Sequence, residues 1–225
     1  MSKYYDRKKI ERLVRAKRHR EVVGGLWDQI GELQVRTLLE LGLKRDHRLL
    51  DVGCGSLRLG SKIVDILAPA NYFGTDLNES LLEAGYDKEL RSAQKKLLPR
   101  ENLICHDATQ SFPFNQTFDF VIAFSLFTHL NLTQVNLTLH SIAKKIGSHG
   151  LLAATFFICP DYSLTSIEQC SGIFTDLNKD PFHVSLSSLN LMAKEVGLEI
   201  TEMTEFEHPR GQRLFCFRHR SFRRT

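Results

Sequence analysis

Short apolar runs alternate with amphipathic stretches from residue 48 to residue 157. The runs at 48–52 (RLLDV), 71–75 (NYFGT), 102–106 (NLICH), 118–124 (FDFVIAF) and 150–157 (GLLAATFF) are too short for helices. They are mostly apolar throughout, as strands covered on both faces are. Helical patterns lie between them, near 57–68, 79–96 and 131–146. This order predicts an α/β fold of three layers, with helices on both faces of a doubly wound, mostly parallel sheet. A polar loop at 158–184 leads to a helix near 185–196, stopped by Gly197. Strands at 198–206 and 212–219 follow, separated by the turn His208-Pro-Arg-Gly211. That turn is too short for a crossover, so these two strands are expected to pair antiparallel as a terminal hairpin of a seven-stranded sheet. Upstream, Ile10, Leu13, Val14 and Lys17 mark a basic amphipathic helix within 5–20, broken by Gly24-Gly25. Leu26, Ile30, Leu33, Thr37, Leu38 and Leu41 mark a second helix, ended by Gly42. The pattern divides the chain into a helical N-terminal cap, 1–45, and the α/β domain, 46–225.

With 225 residues, 42% of them hydrophobic, the chain suffices for one sizeable core and is short for two. No run approaches the ~18 apolar residues of a membrane span. The N-terminus lacks the apolar stretch of a signal peptide, so a cytoplasmic protein without membrane partners is expected. Cys54, Cys105, Cys159, Cys170 and Cys216 form no C-x-x-C pair, so reduced thiols and no zinc site are expected. The net charge of +4 conceals a split. Residues 1–20 carry nine Lys or Arg against Asp6 and Glu11, and residues 208–225 carry six Arg and no acid. The body between them is therefore acidic, which disfavours a uniformly basic nucleic-acid binder. Frayed, solubilising ends are the expectation for both termini.

The sharpest motif is LLDVGCGSLRLG, residues 49–60, a strand running through a glycine turn into a helix. A dinucleotide site wants G-x-G-x-x-G, and Arg58 stands where the third, small residue packs helix on strand. Asp51 also sits badly beside a pyrophosphate. A P-loop wants G-x-x-x-x-G-K-[ST], and Gly55 to Lys62 ends in Ser-Lys, the reverse order. Asp51, Gly53 and Gly55 suit a ligand without phosphates that carries a cation near the loop. Asp76 ends the second strand, 21 residues past Gly55, where an acid can accept two ribose hydroxyl bonds. Asp107, after the third strand, is placed for an adenine amino group. Ammonium, ribose and adenine without phosphate describe S-adenosylmethionine.

LLDVGCG, YFGTDLNESLLEAG, LICHDAT and FDFVIAFSLFTHL, in that order, resemble four successive motifs of the class I S-adenosylmethionine-dependent methyltransferases. GGLWDQIG and HPRGQRLF in the flanks resemble a bacterial, small-molecule-methyltransferase-like subgroup. The resemblance implies that 46–225 is a methyltransferase domain. It implies that Asp51, Gly53, Cys54 and Gly55 hold the methionine end, with Cys54 a buried spacer, and that Asp76 holds the ribose. It further implies that Leu77 packs on the adenine, that Asp107 bonds its amino group beside Ala108, and that Ser125 lines the pocket.

The acceptor chemistry is less sharply marked. His129, just after the fourth strand, is the leading candidate for a base, with a helix-capping role as its rival. His183 and His208 are further candidates, and Arg58 and Arg210 are candidates for an acidic substrate group. Trp27 is either a lid over the cofactor or a core anchor. The motifs of amino-methylating DNA enzymes, cytosine C5 enzymes and metal-dependent catechol enzymes are missing or misplaced. The expectation is a small-molecule acceptor methylated at oxygen without a metal. RNA or protein is the alternative acceptor, and a cofactor-binding module without catalysis the non-enzymatic alternative. The oligomeric state, monomer or homodimer, is left open.

Overall fold

The computed structural model describes residues 2–160, 165–170 and 172–220. The chain forms two compact units, Tyr4–Ala108 and Thr109–Thr225 with Met1–Lys3. The sheet has seven strands and is mostly parallel.

In the first unit, α1 (Arg7–Arg15), α2 (His19–Val22) and α3 (Trp27–Glu40) precede the strands β1 (Leu49–Val52), β2 (Tyr72–Asp76) and β3 (Leu103–Cys105). The strands are adjacent and parallel, with Leu50 opposite Phe73 and Thr75 opposite Ile104. The helix expected near 57–68 is regular only over α4 (Gly60–Ile63). Its start is delayed because Leu57, fully buried, adopts a left-handed φ of 62°. The helix expected near 79–96 divides into α5 (Glu79–Ala84), a π turn at Gly85–Glu89 and α6 (Ser92–Leu97). The cause lies at Gly85, where a Cβ would stand 2.6 Å from the carbonyl carbon of Ser56. Only glycine admits so close an approach of two backbones.

Residues 6–15, expected to lie in a frayed end, are ordered as a capped helix. Asp6 caps α1 by accepting from Lys9 N–H at 3.0 Å. Ile10 and Val14 then bury against Val22, Leu81 and Ala84, which fastens α1 to α5. Arg7, Lys8, Lys9, Arg12 and Arg15 of this helix are exposed. The C-terminal basic tail lies outside the described residues beyond Arg220.

In the second unit, β4 (Phe118–Ala123), α7 (Leu132–Ala143) and β5 (Ile146–Phe156) follow in βαβ order, and β4 and β5 are parallel. The polar loop expected at 158–184 contains four short strands: β6 (Ile158–Cys159), β7 (Ser166–Glu168), β8 (Phe174–Asp176) and β9 (Val184–Ser185). They pair as two small ribbons, β6 with β9 and β7 with β8. α8 (Leu186–Glu195), capped by Ser185, leads to β10 (Leu198–Glu202) and β11 (Arg213–His219). β10 and β11 pair antiparallel as expected, and β11 lies antiparallel beside β5. No described helix is long and apolar enough to cross a membrane.

Candidate functional site

In the first unit, β1 and β2 end in Asp51-Val52 and Asp76, followed by tight backbone turns. Gly53 and Gly55 take left-handed φ values of 76° and 56°. These turn the loop so that the N–H groups of Gly53 and Cys54 both donate to Thr75 O, at 2.8 and 2.9 Å. Gly55 N–H donates to Asp76 Oδ2 at 2.9 Å, and Asn78 N–H to Asp76 Oδ1 at 2.9 Å. Asp76 is thus fixed by two backbone donors. α5 takes Asn78, not Asp76, as its N-cap residue, and Asn78 makes no side-chain cap bond. Burial pushes the Asp76 carboxyl up, with the N–H groups of Asn78 and Gly55 opposing it.

Asp51 is 3% exposed, and Tyr72 donates its hydroxyl to Oδ2 at 2.7 Å. Burial raises its carboxyl to about 7, against the opposing bond from Tyr72. The Cys54 thiol is buried and pushed well up, first by burial and then by Asp51 and Asp76, so it stays protonated. It packs beside Gly74, whose added Cβ would lie 2.9 Å from the sulfur. Leu77, Asp107 and Ala108 are half-buried beyond the ends of β2 and β3. His106 N–H donates to Asp76 O at 2.8 Å, carrying the β2–β3 pairing up to Asp107.

This donor set fits S-adenosylmethionine. Burial penalises the charged forms of Asp51 and Asp76, and a cationic ligand with hydroxyl donors relieves that penalty, whereas a pyrophosphate adds to it. Asn78 Oδ1 and Ser56 Oγ, beside the acid and the loop, are buried without a hydrogen-bond partner among the described residues.

Arg58 is engaged by the chain itself. The residue is 8% exposed, and its guanidinium donates to Gln34 Oε1 at 3.3 Å, Val23 O at 3.1 Å and Gly25 O at 3.4 Å. The sequence placed a charged residue where dinucleotide folds want a small one, and its use here is to tie down the N-terminal segment. Trp27 is likewise an anchor, 9% exposed, with the Arg20 guanidinium 4.7 Å from its ring centre.

In the second unit, Ser125 follows β4 with a left-handed φ of 60°. Its N–H donates to Thr155 Oγ1 at 2.7 Å, and its Oγ donates to Gln212 Oε1 at 3.0 Å. Thr155 donates to the same Gln212 oxygen at 2.7 Å. Thr155 and Gln212 are buried, and sequence reasoning did not single out either. The string HPRGQRLF contained Gln212, but nothing local marked it.

His129 does not cap α7, whose cap is Asn131, accepting from Gln134 N–H at 3.0 Å. Instead His129 Nδ1 lies 2.5 Å from Asp180 Oδ1. His183 is buried, its Nδ1 2.8 Å from Thr175 Oγ1. His208 is buried too, with Nδ1 accepting from Arg210 N–H at 3.2 Å and its ring packed against both Phe124 and Phe206. Arg210 is half-buried in the turn after His208. Among the described residues, no group of three His, Cys, Asp or Glu is placed to hold a metal ion.

Residues 50–152 match the family model described as "Methyltransferase domain". Among solved structures, a TehB-like S-adenosylmethionine-dependent methyltransferase from Corynebacterium glutamicum superposes with a TM-score of 0.62 at 19% identity, over 95% of this chain and 99% of that one. The magnesium protoporphyrin IX methyltransferase of Synechocystis, solved with bound S-adenosylmethionine, gives 0.60 at 15%, over 85% and 79%. A sugar N-methyltransferase from Streptoalloteichus gives 0.61 at 17%, over 85% and 87%. At these identities the likeness is one of fold. The family match marks residues 50–152 as a methyltransferase domain, and the shared fold is that of the S-adenosylmethionine-dependent methyltransferases it superposes on.

Proposed function

We propose that this methyltransferase acts on a hydroxyl of a small organic acceptor without a metal ion. The observation that carries the reading is the run of carboxylates at the ends of three adjacent parallel strands, Asp51, Asp76 and Asp107, beside a glycine loop that fixes one of them through its own N–H. In this reading Asp51 meets the cofactor ammonium and Gly53 and Gly55 let the backbone approach the methionine end. Asp76 takes the ribose hydroxyls, Asp107 the adenine amino group, and Leu77 and Ala108 flank the ring.

When bound, the cofactor supplies an electrophilic methyl group on sulfur; the chain's own task is alignment and, for a hydroxyl acceptor, removal of a proton. His129 is the side chain assigned to that proton. The size of the acceptor follows the solved relatives, whose names give a metalloporphyrin and a sugar as substrates. Arg210 is the remaining candidate to hold an acidic group on the acceptor.

Incubation with methyl-labelled S-adenosylmethionine and a panel of hydroxylated small molecules tests the reading. Label is expected in an ether or ester product. Transfer to amines alone overturns the oxygen assignment, and transfer only to RNA or protein overturns the small-molecule one. RNA is the second reading, because the exposed face of α1 carries Arg7, Lys8, Lys9, Arg12 and Arg15. It predicts RNA affinity that falls steeply with salt.

A further inference from the structure

The segment between β8 and β9 brings a carboxylate to His129 from 51 positions away in sequence. Asp180 Oδ1 contacts His129 Nδ1, and Asp180 Oδ2 accepts from Ser2 Oγ at 2.7 Å. The Asp180 side chain is 13% exposed and that of His129 21%. Both arms of the contact are braced by the backbone. Phe182 N–H donates to Thr128 O at 2.7 Å, and Asp176 N–H to Pro181 O at 2.9 Å. Thr128 Oγ1 donates to Ser125 O at 2.9 Å, holding the turn Phe127–His129. The pair is therefore fixed from β4, from the β8–β9 segment and from the N-terminal residues.

An ionised carboxylate can only accept hydrogen bonds. A neutral imidazole facing one through Nδ1 must carry its proton there, which leaves the lone pair on Nε2. We propose that Asp180 is the positioning residue of His129, fixing the ring with Nε2 as the proton acceptor while Ser2 holds the second carboxylate oxygen. The proposal deepens the hydroxyl-acceptor reading and rests on it. The acceptor O–H proton passes to Nε2. The oxygen lone pair forms the bond to the methyl carbon, and the electron pair of the breaking carbon–sulfur bond stays on sulfur. Asp180 then faces an imidazolium, a charge-assisted pair, until the proton is released to water.

The test uses the full-length chain labelled with 15N-histidine, read by long-range 1H–15N spectra at mildly alkaline pH. His129 is assigned by the signal lost in His129→Gln. Wild type is expected to show the Nδ1–H tautomer in roughly tenfold or greater excess, from the strength of a bond to a charged acceptor. Asp180→Ala removes the preference. Asp180→Leu, which neither donates nor accepts, is expected to do the same. A wild-type ring already in the Nε2–H form overturns the proposal. So does an Nδ1–H preference that survives either substitution, whichever variant folds. Calorimetry with S-adenosylmethionine on the same samples separates the two claims. Failure of wild type to bind it, with the tautomer as expected, defeats the methyltransferase reading and leaves the pairing in place.

Discussion

The ends of β1–β3 and the end of β4 are built on different principles. At the first, the acids are set by the local backbone: Asp76 is held by N–H groups of the neighbouring turns, and Asp51 by one cross-strand tyrosine. At the second, side chains hold one another across long separations. Ser125 reaches Gln212 over 87 positions, His129 reaches Asp180 over 51, and Ser2 reaches Asp180 over 178. A site made from backbone turns leaves its mark as a short motif. A site made from distant side chains leaves none, although it can be just as well ordered.

The largest expected effect breaks the first region. Asp76→Ala removes the acceptor proposed for two ribose hydroxyls and should weaken S-adenosylmethionine by about a hundredfold or more in calorimetric titration, from bonds of about 1.5–3 kcal/mol each to a charged group. Affinity within a few-fold of wild type would mean that the ribose lies elsewhere. Next comes the backbone approach behind the loop. Gly85→Ala puts a Cβ against the Ser56 carbonyl and should cost about 1–3 kcal/mol in urea unfolding. An unchanged midpoint would show that the π turn relaxes freely.

In the second region, Gln212→Leu strands two hydroxyls, on Ser125 and Thr155, that donate to one buried oxygen. A loss of about 1–3 kcal/mol is expected from leaving such groups unsatisfied, again read by urea unfolding. A neutral result would make the network dispensable for folding.

A further effect concerns pH. Asp51 titrates at about 7 in the folded chain, raised by burial, and at about 3.9 when unfolded. Its protonated form favours the fold, so that stability is fully present below about 4 and is lost as pH rises through about 7. Asp51→Asn should flatten this part of the stability–pH curve, measured by denaturant unfolding. A curve of the same slope in the variant would assign the titration to another group.

Much of the fold was legible because its strands are short, continuous apolar runs broken by glycine turns, and because the last turn was too short for a crossover. The acids proposed for the cofactor stood out for the same reason, each at or just past a strand end. Helix continuity was not. The breaks at Leu57 and Gly85 come from a tertiary approach of two backbones that no local periodicity reports. The strands β6–β9 were missed because ladders of two or three residues show no alternation. Asp180 stood in plain view in the string Asp180-Pro-Phe-His183, yet its partner was decided by folding. Arg58 was read as a ligand group because its type is conspicuous, whereas its carbonyl partners at Val23 and Gly25 are backbone atoms that side-chain patterns do not advertise.

The central claim is that the carboxylates and glycines after β1–β3 form a site for S-adenosylmethionine and not for a dinucleotide. Calorimetric titration of the wild-type chain with S-adenosylmethionine and, separately, with NAD tests it most directly. The account predicts one-site binding of the first and no heat from the second. Binding of NAD without S-adenosylmethionine would contradict it, and the roles given to Asp51, Asp76 and Asp107 would fall together.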